Sequence, residues 1–159
     1  MDTTELLYAG AAEQARRVAA RDVSARELAE ACLARIGRLN PVLNAFRVVL
    51  ADEALAAADA ADAAVAEGSA GPLAGVPVAI KDDADLAGQI TTHGTAATGT
   101  APAREDAEVV RRLRAAGAVL VGKTNVPELT IWPFTETLSF GAARNPWNLD
   151  RTPGGSSGG

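Results

Sequence analysis

The sequence is poor in the residues that build disulfides, zinc sites and basic recognition surfaces. In 159 residues it has one cysteine, Cys32, and one histidine, His93. A single cysteine excludes an internal disulfide and fits a reducing, cytosolic compartment. No His/Cys cluster exists for zinc, and no Ser-His-Asp triad can be assigned around His93, which reads as a loop residue. Asp82, Asp83 and Asp85 lack the following Gly and Glu of a calcium-binding loop and read as a solvated acidic stretch. The net charge of −5 argues against sequence-independent binding to nucleic acid or anionic membrane, since both depend on basic patches. No run of about 18 apolar residues is present, so no transmembrane helix is expected. The opening "MDTTELLYAG" lacks a basic stretch followed by an apolar one, so no signal peptide is expected.

Lysine is scarce too. Of 15 basic residues, 13 are arginine and two are lysine, Lys81 and Lys123. Codon bias in a GC-rich genome accounts for that ratio and for the many alanines. Even so, a desolvated lysine can accept a proton and an arginine effectively cannot, so both lysines are candidates for chemistry.

What is present is an apolar, alanine-rich chain able to form a core, with hydrophobic residues at 48%. Residues 4–20 read as one amphipathic helix carrying Leu6, Leu7 and Val18. A second helix starts at the capping box Ser24–Glu27, buries Leu28, Cys32 and Ile36, and should end at Pro41. "NAFRVVL" reads as a strand, and "DEALAAADAADAAVAEG" as a helix stopped by Gly68. "VPVAI" is a short strand ending on Lys81. Residues 81–106 read as a long loop, a kind that is often functional. "AEVVRRLRAAG" is a helix, "AVLV" another strand, and Leu129–Pro153 is irregular. Alternating helices and short strands give an α/β class.

Three stretches invite chemistry. "GAVLVGKT", Gly117 to Thr124, matches the phosphate-binding pattern G-x-x-x-x-G-K-[ST] letter for letter. However, a helix precedes it, Ala-Val-Leu-Val suits a buried strand, and Pro127 follows closely. The match therefore does not predict nucleotide binding. For Lys81, local sequence leaves two readings open: a surface lysine paired with Asp82 or Asp83, or a general base at the mouth of a sheet. The second requires both aspartates to point away. The terminal "RTPGGSSGG" can be a flexible linker or a site where glycines allow close approach to serines. Trp132, Phe134 and Phe140 read as core residues before they read as an acyl pocket.

Three blocks, "GVPVAIKD", "AEVVRRLRAAGAVLVGKTNVPE" and "GAARNPWNLDRTPGGSSGG", occur in this order. Together they make the chain resemble the N-terminal part of an amidase signature family hydrolase, from about Ala25 to Gly159. The resemblance implies an amidase-signature fold, a central mixed β-sheet covered by helices on both sides and incomplete here. Residues 1–159 would then be the N-terminal part of a single amidase domain, with a helical lead-in over about 1–24 and the remainder absent. It implies a Ser–cisSer–Lys acyl-enzyme mechanism. The family's lysine falls on Lys81, and its bridging serine, held after a cis peptide bond, falls on Ser156. The resemblance implies a substrate-binding or site-shaping role for Gly154, Gly155 and Ser157. The nucleophilic serine lies about two dozen residues further on in the family, so this stretch alone is expected to be inactive. No cofactor and no metal are implied. The partners implied are a small-molecule amide substrate and, as an assembly to test, a homodimer. Rival readings are the A subunit of glutamyl-tRNA amidotransferase and a non-catalytic remnant or binding module. The first usually carries Asp-Glu-Phe-Ala after its "GKTN", where this chain has "VPELTIWPFTE".

Overall fold

The computed structural model describes residues 3–159, with side chains from residue 4, so residues 1 and 2 of the expected lead-in lie outside the described residues. Five helices and five strands follow in the order α1 (Thr3–Tyr8), α2 (Ala11–Ala19), α3 (Ala25–Leu43), β1 (Phe46–Val49), α4 (Ala51–Glu67), β2 (Pro77–Lys81), α5 (Glu108–Ala115), β3 (Val119–Thr124), β4 (Glu136–Thr137) and β5 (Gly141–Ala142). A single 3₁₀ turn covers Glu128–Thr130. The fold is α/β.

The main sheet has the strand order β1-β3-β2. β1 and β3 are antiparallel, pairing Phe46 with Thr124, Val48 with Lys123 and Val49 with Gly122, and the register shifts between Phe46 and Val48. β2 and β3 run in the same direction. The Val119 N–H donates to the Val76 carbonyl at one end, and the Asp82 N–H donates to the Thr124 carbonyl at the other. The sheet is therefore mixed. All six residues of β3 are buried, which suits the central strand of a sheet. β4 and β5 form a separate antiparallel pair.

The chain divides into two compact units. The first comprises residues 1–35, 50–78 and 111–121. Its core is built from small residues. Ala54, Ala58 and Ala61 of α4 are buried together with Val18, Ala25, Leu28, Ala29 and Val76, the spacing of one helical face. The capping box forms as expected: Ser24 N–H donates to Glu27 Oε2 at 2.9 Å, and Glu27 N–H donates to Ser24 Oγ at 3.0 Å. The Asp62 carboxylate of α4 also accepts the Ala25 and Arg26 N–H groups at 2.7 and 3.1 Å. It thereby satisfies donors that a helix start leaves without intrahelical partners.

The second unit comprises residues 36–49, 79–110 and 122–159. It holds little regular structure. Between Asp82 and Ala107 neither helix nor strand forms, in agreement with the long loop read from the sequence.

Three expectations are corrected. The lead-in is two helices: Gly10 has φ 78°, a backbone state that breaks a continuous helix and that glycine adopts without a Cβ clash. Pro41 lies inside α3; the helix runs to Leu43 and gives way at Asn44, φ 49°. The third strand continues through Gly122, Lys123 and Thr124, so the phosphate-loop lookalike is a buried strand.

Candidate active site

The site lies within the second unit and begins with Lys81, the last residue of β2. Its Nζ donates a hydrogen bond to Ser156 Oγ at 2.9 Å, across 75 residues of sequence. The Gly155–Ser156 peptide bond is cis. Lys81 Nζ also lies 3.2 Å from Asp83 Oδ2, and both side chains are about 30% exposed. The local pairing read for Lys81 forms with Asp83, and the requirement of the general-base reading that both aspartates point away is met by Asp82 alone.

The "GGSSGG" stretch is seated by backbone proximity. A Cβ at Gly155 would come within 2.5 Å of the Trp132 carbonyl oxygen and 2.9 Å of Phe134 N, so only glycine fits. A Cβ at Gly158 would overlap the side chain of Thr135. Thr135 is 1% exposed, and its hydroxyl donates to the Gly154 carbonyl at 2.9 Å. The final residue, Gly159, packs on Ala45, Thr124 and Asn125. Ser157 is exposed. This stretch is not behaving as a linker: Gly155, Gly158 and Gly159 are required by what they touch, and Gly154 by its φ of 111°.

Sequence reasoning missed the network beside Lys81. Asp82 is 1% exposed, not part of a solvated acidic stretch. Its carboxylate receives Arg47 Nε at 2.6 Å and Arg47 Nη2 at 3.0 Å, and Lys123 Nζ at 2.9 Å. Thr92 adds its hydroxyl to the same carboxylate. Burial pushes the Asp82 carboxyl up, and the hydrogen bonds from Arg47, Thr92 and Lys123 together outweigh it, leaving the group below its ordinary value. Lys123 is fully buried and donates in addition to Thr91 Oγ1 at 2.7 Å and to the Ile90 carbonyl at 3.3 Å. The scarcity of lysine and the "GKTN" block were the signals for Lys123; nothing in the sequence singled out Arg47.

The remaining candidates fall elsewhere. His93 is a loop residue as expected, with φ 51° and its N–H donating to the Asp82 carbonyl at 3.1 Å. Cys32 is half-buried, and burial pushes its thiol up. Trp132 and Phe134 stack at 5.8 Å between centroids but are 49% and 41% exposed, so they are not core residues. Phe140 lies under the Arg47 guanidinium at 5.9 Å. Among the described residues no group of three or more His, Cys, Asp and Glu could hold a metal ion, and no helix is long and apolar enough to cross a membrane.

Fold and site together define an α/β protein with a lysine at a strand end facing a serine on a glycine-rich loop. The family model named Amidase matches residues 27–159, and the chain belongs to that family, as the motif blocks implied. AmiB2 of Mycobacterium tuberculosis, an amidase by name, is 61% identical over 159 residues, covering all of this chain and 34% of the relative. The A subunit of the Thiobacillus denitrificans glutamyl-tRNA(Gln) amidotransferase is 49% identical over 145 residues, covering 91% of this chain and 30% of the relative. Among solved structures, the native peptide amidase from Stenotrophomonas maltophilia superposes with a TM-score of 0.83 at 34% identity, covering 92% of this chain and 32% of that one. The chain therefore spans about a third of the length of the curated relatives it matches.

Proposed function

We propose that the polypeptide carrying this chain hydrolyses carboxylic amides to a carboxylate and an amine or ammonia through an acyl-enzyme. The observation that carries this reading is the hydrogen bond from Lys81 Nζ to Ser156 Oγ. Lys81 in its neutral form accepts the Ser156 hydroxyl proton, while Ser156 takes the proton of a second serine. That second serine attacks the amide carbon. The C–N bond breaks, the leaving nitrogen takes back the proton by way of Lys81, and the acyl group stays on the nucleophile as an ester. Water, deprotonated by the same relay, then releases the carboxylate. Ser–Lys pairs do the work of a histidine base in other hydrolases.

Gly154, Gly155 and Ser157 shape the relay's loop. The scheme's nucleophile is not among these 159 residues, so on this reading they supply base and relay and are inactive alone. The substrate is a small-molecule amide.

The test is amide turnover by a polypeptide of the relatives' full length that carries this chain. Lys81→Ala and Lys81→Arg should both abolish it; a near-normal rate in Lys81→Arg would remove the base role. The 159 residues alone should give none. Similarity to the A subunit of an amidotransferase favours a second reading, in which turnover needs further protein partners and uses glutamine. The departure from Asp-Glu-Phe-Ala at "VPELTIWPFTE" weighs against it, and activity of the purified polypeptide without partners would exclude it.

A further inference from the structure

Lysine is a flexible base, with a four-carbon stem whose rotamer entropy opposes holding it still. Something must aim it at Ser156, and the neighbouring residue has the geometry to do so. Successive side chains at a strand end point to opposite sides, so with Lys81 directed at Ser156, Asp82 enters the interior. There its carboxylate is gripped from three segments: Arg47 of β1, Lys123 of β3 and Thr92 of the long loop. Its backbone is fixed too, the N–H donating to the Thr124 carbonyl and the carbonyl accepting from His93 N–H. Arg47 Nη2 and Lys123 Nζ share a second acceptor, the Ile90 carbonyl, at 2.6 and 3.3 Å. Among the described residues, no buried side-chain nitrogen or oxygen lacks a hydrogen-bond partner.

The same strand ends seat the serine. Gly159 packs on Ala45, just before β1, and on Thr124 and Asn125, at the end of β3. Thus the strands that hold Asp82 through Arg47 and Lys123 also fix the loop bearing Ser156. We propose that Asp82 is a positioning residue, a buried clamp that sets the Lys81–Ser156 separation by tying the end of β2 to the strands on which the Ser156 loop rests. The inference rests on the lysine–serine relay proposed above.

The experiment uses a polypeptide of the relatives' full length carrying this chain, assayed with whichever of acetamide, benzamide and p-nitroacetanilide the wild type hydrolyses fastest. Asp82→Asn alone strands the fully buried Lys123 ammonium and the part-buried Arg47 guanidinium and can fail to fold. It is therefore paired with the double variant Asp82→Asn/Lys123→Met, which removes one charge of each sign and leaves the net charge unchanged. The expected result is a thermal midpoint recovered by the double variant while kcat stays down about 100-fold, the scale expected of a base displaced by about 1 Å, with KM within a few-fold of wild type. Recovery of kcat along with the midpoint would overturn the inference, leaving Asp82 a purely structural ion. If neither variant folds, Thr92→Val removes one grip and should lower kcat several-fold at constant KM; an unchanged kcat overturns the inference. Lys81→Ala run in parallel separates the two ideas. An active Lys81→Ala enzyme, or a wild type inert toward all three amides, brings down the relay and the clamp together. A dead Lys81→Ala beside a normal Asp82→Asn brings down only the clamp.

Discussion

The ends of β2 and β3 carry the two lysines of this protein, and the surroundings of the two amines differ. Lys123 is fully buried, and its ammonium meets a carboxylate, a hydroxyl and a carbonyl, so its donors are satisfied by fixed acceptors. Lys81 is part-exposed and meets one serine hydroxyl and one part-exposed carboxylate. A buried cation without compensation costs several kcal/mol, so the Lys123 arrangement is one that holds charge. The Lys81 arrangement leaves the amine part-exposed beside a hydroxyl and a single part-exposed carboxylate. Residue type is therefore no guide to role here; the partners separate a structural ammonium from a candidate base.

Exchanging the partners should break the contrast. The largest effect is expected at Lys81: in a polypeptide of the relatives' length, Lys81→Ala should lower kcat/KM by a factor of about 10³ or more while the unfolding midpoint in urea stays close to wild type. Lys123→Ala should act first on stability, with a several-fold fall in kcat as one grip on Asp82 is lost. It leaves Asp82 with fewer counter-ions in a buried site, and equilibrium unfolding should show a loss of about 3–5 kcal/mol. A silent Lys123→Ala would erase the distinction drawn between the two lysines.

A smaller effect sharpens the contrast through pH. The folded-state value of Asp82 lies below its ordinary one. The clamp's contribution to stability is therefore fully present above about pH 4 and is lost as the pH falls through the lowered folded value. Unfolding curves measured from pH 6 down to 2 should show an acid-side loss in the wild type that is smaller in Asp82→Asn/Lys123→Met, which retains only the share of other lowered carboxyls such as Glu13 and Glu27. Next, Thr91→Val should remove one acceptor from the Lys123 ammonium and lower stability by about 1–2 kcal/mol, readable as a shift in the urea midpoint. The smallest effect belongs to Asp83→Asn. The Lys81–Asp83 pair is part-exposed, and such pairs contribute less than about 1 kcal/mol, so its midpoint should hardly move.

Much of this was legible in the sequence where the signal is local. The capping box at Ser24 and Glu27, the stop at Gly68 and the strand ending on Lys81 depend on neighbours a few residues apart, and all three form. The rejection of the phosphate-loop match came from the same local logic, since Ala-Val-Leu-Val belongs in a strand. The motif blocks singled out Lys81 and Ser156, and the fold brings the pair to 2.9 Å. The aspartates were misjudged because "KDDAD" looks the same whether it faces water or the interior. Asp82 became a buried ion only through Arg47, 35 residues earlier, and Lys123, 41 residues later. Trp132 and Phe134 were misplaced for a related reason: aromatic character favours burial but does not say which face the loop presents.

Short-range pattern by itself determined where the longer helices and the three principal strands lie, the α/β class and the family, because propensity, capping and motif blocks are properties of residues close in sequence. Tertiary structure alone decided which lysine became a satisfied buried ion and which was left facing a serine, and why the last glycines cannot be replaced. Those outcomes depend on the packing of β1, β3 and the 132–135 segment against residues distant in the chain. Electrostatic partners and sub-ångström clearances arise only once such segments meet.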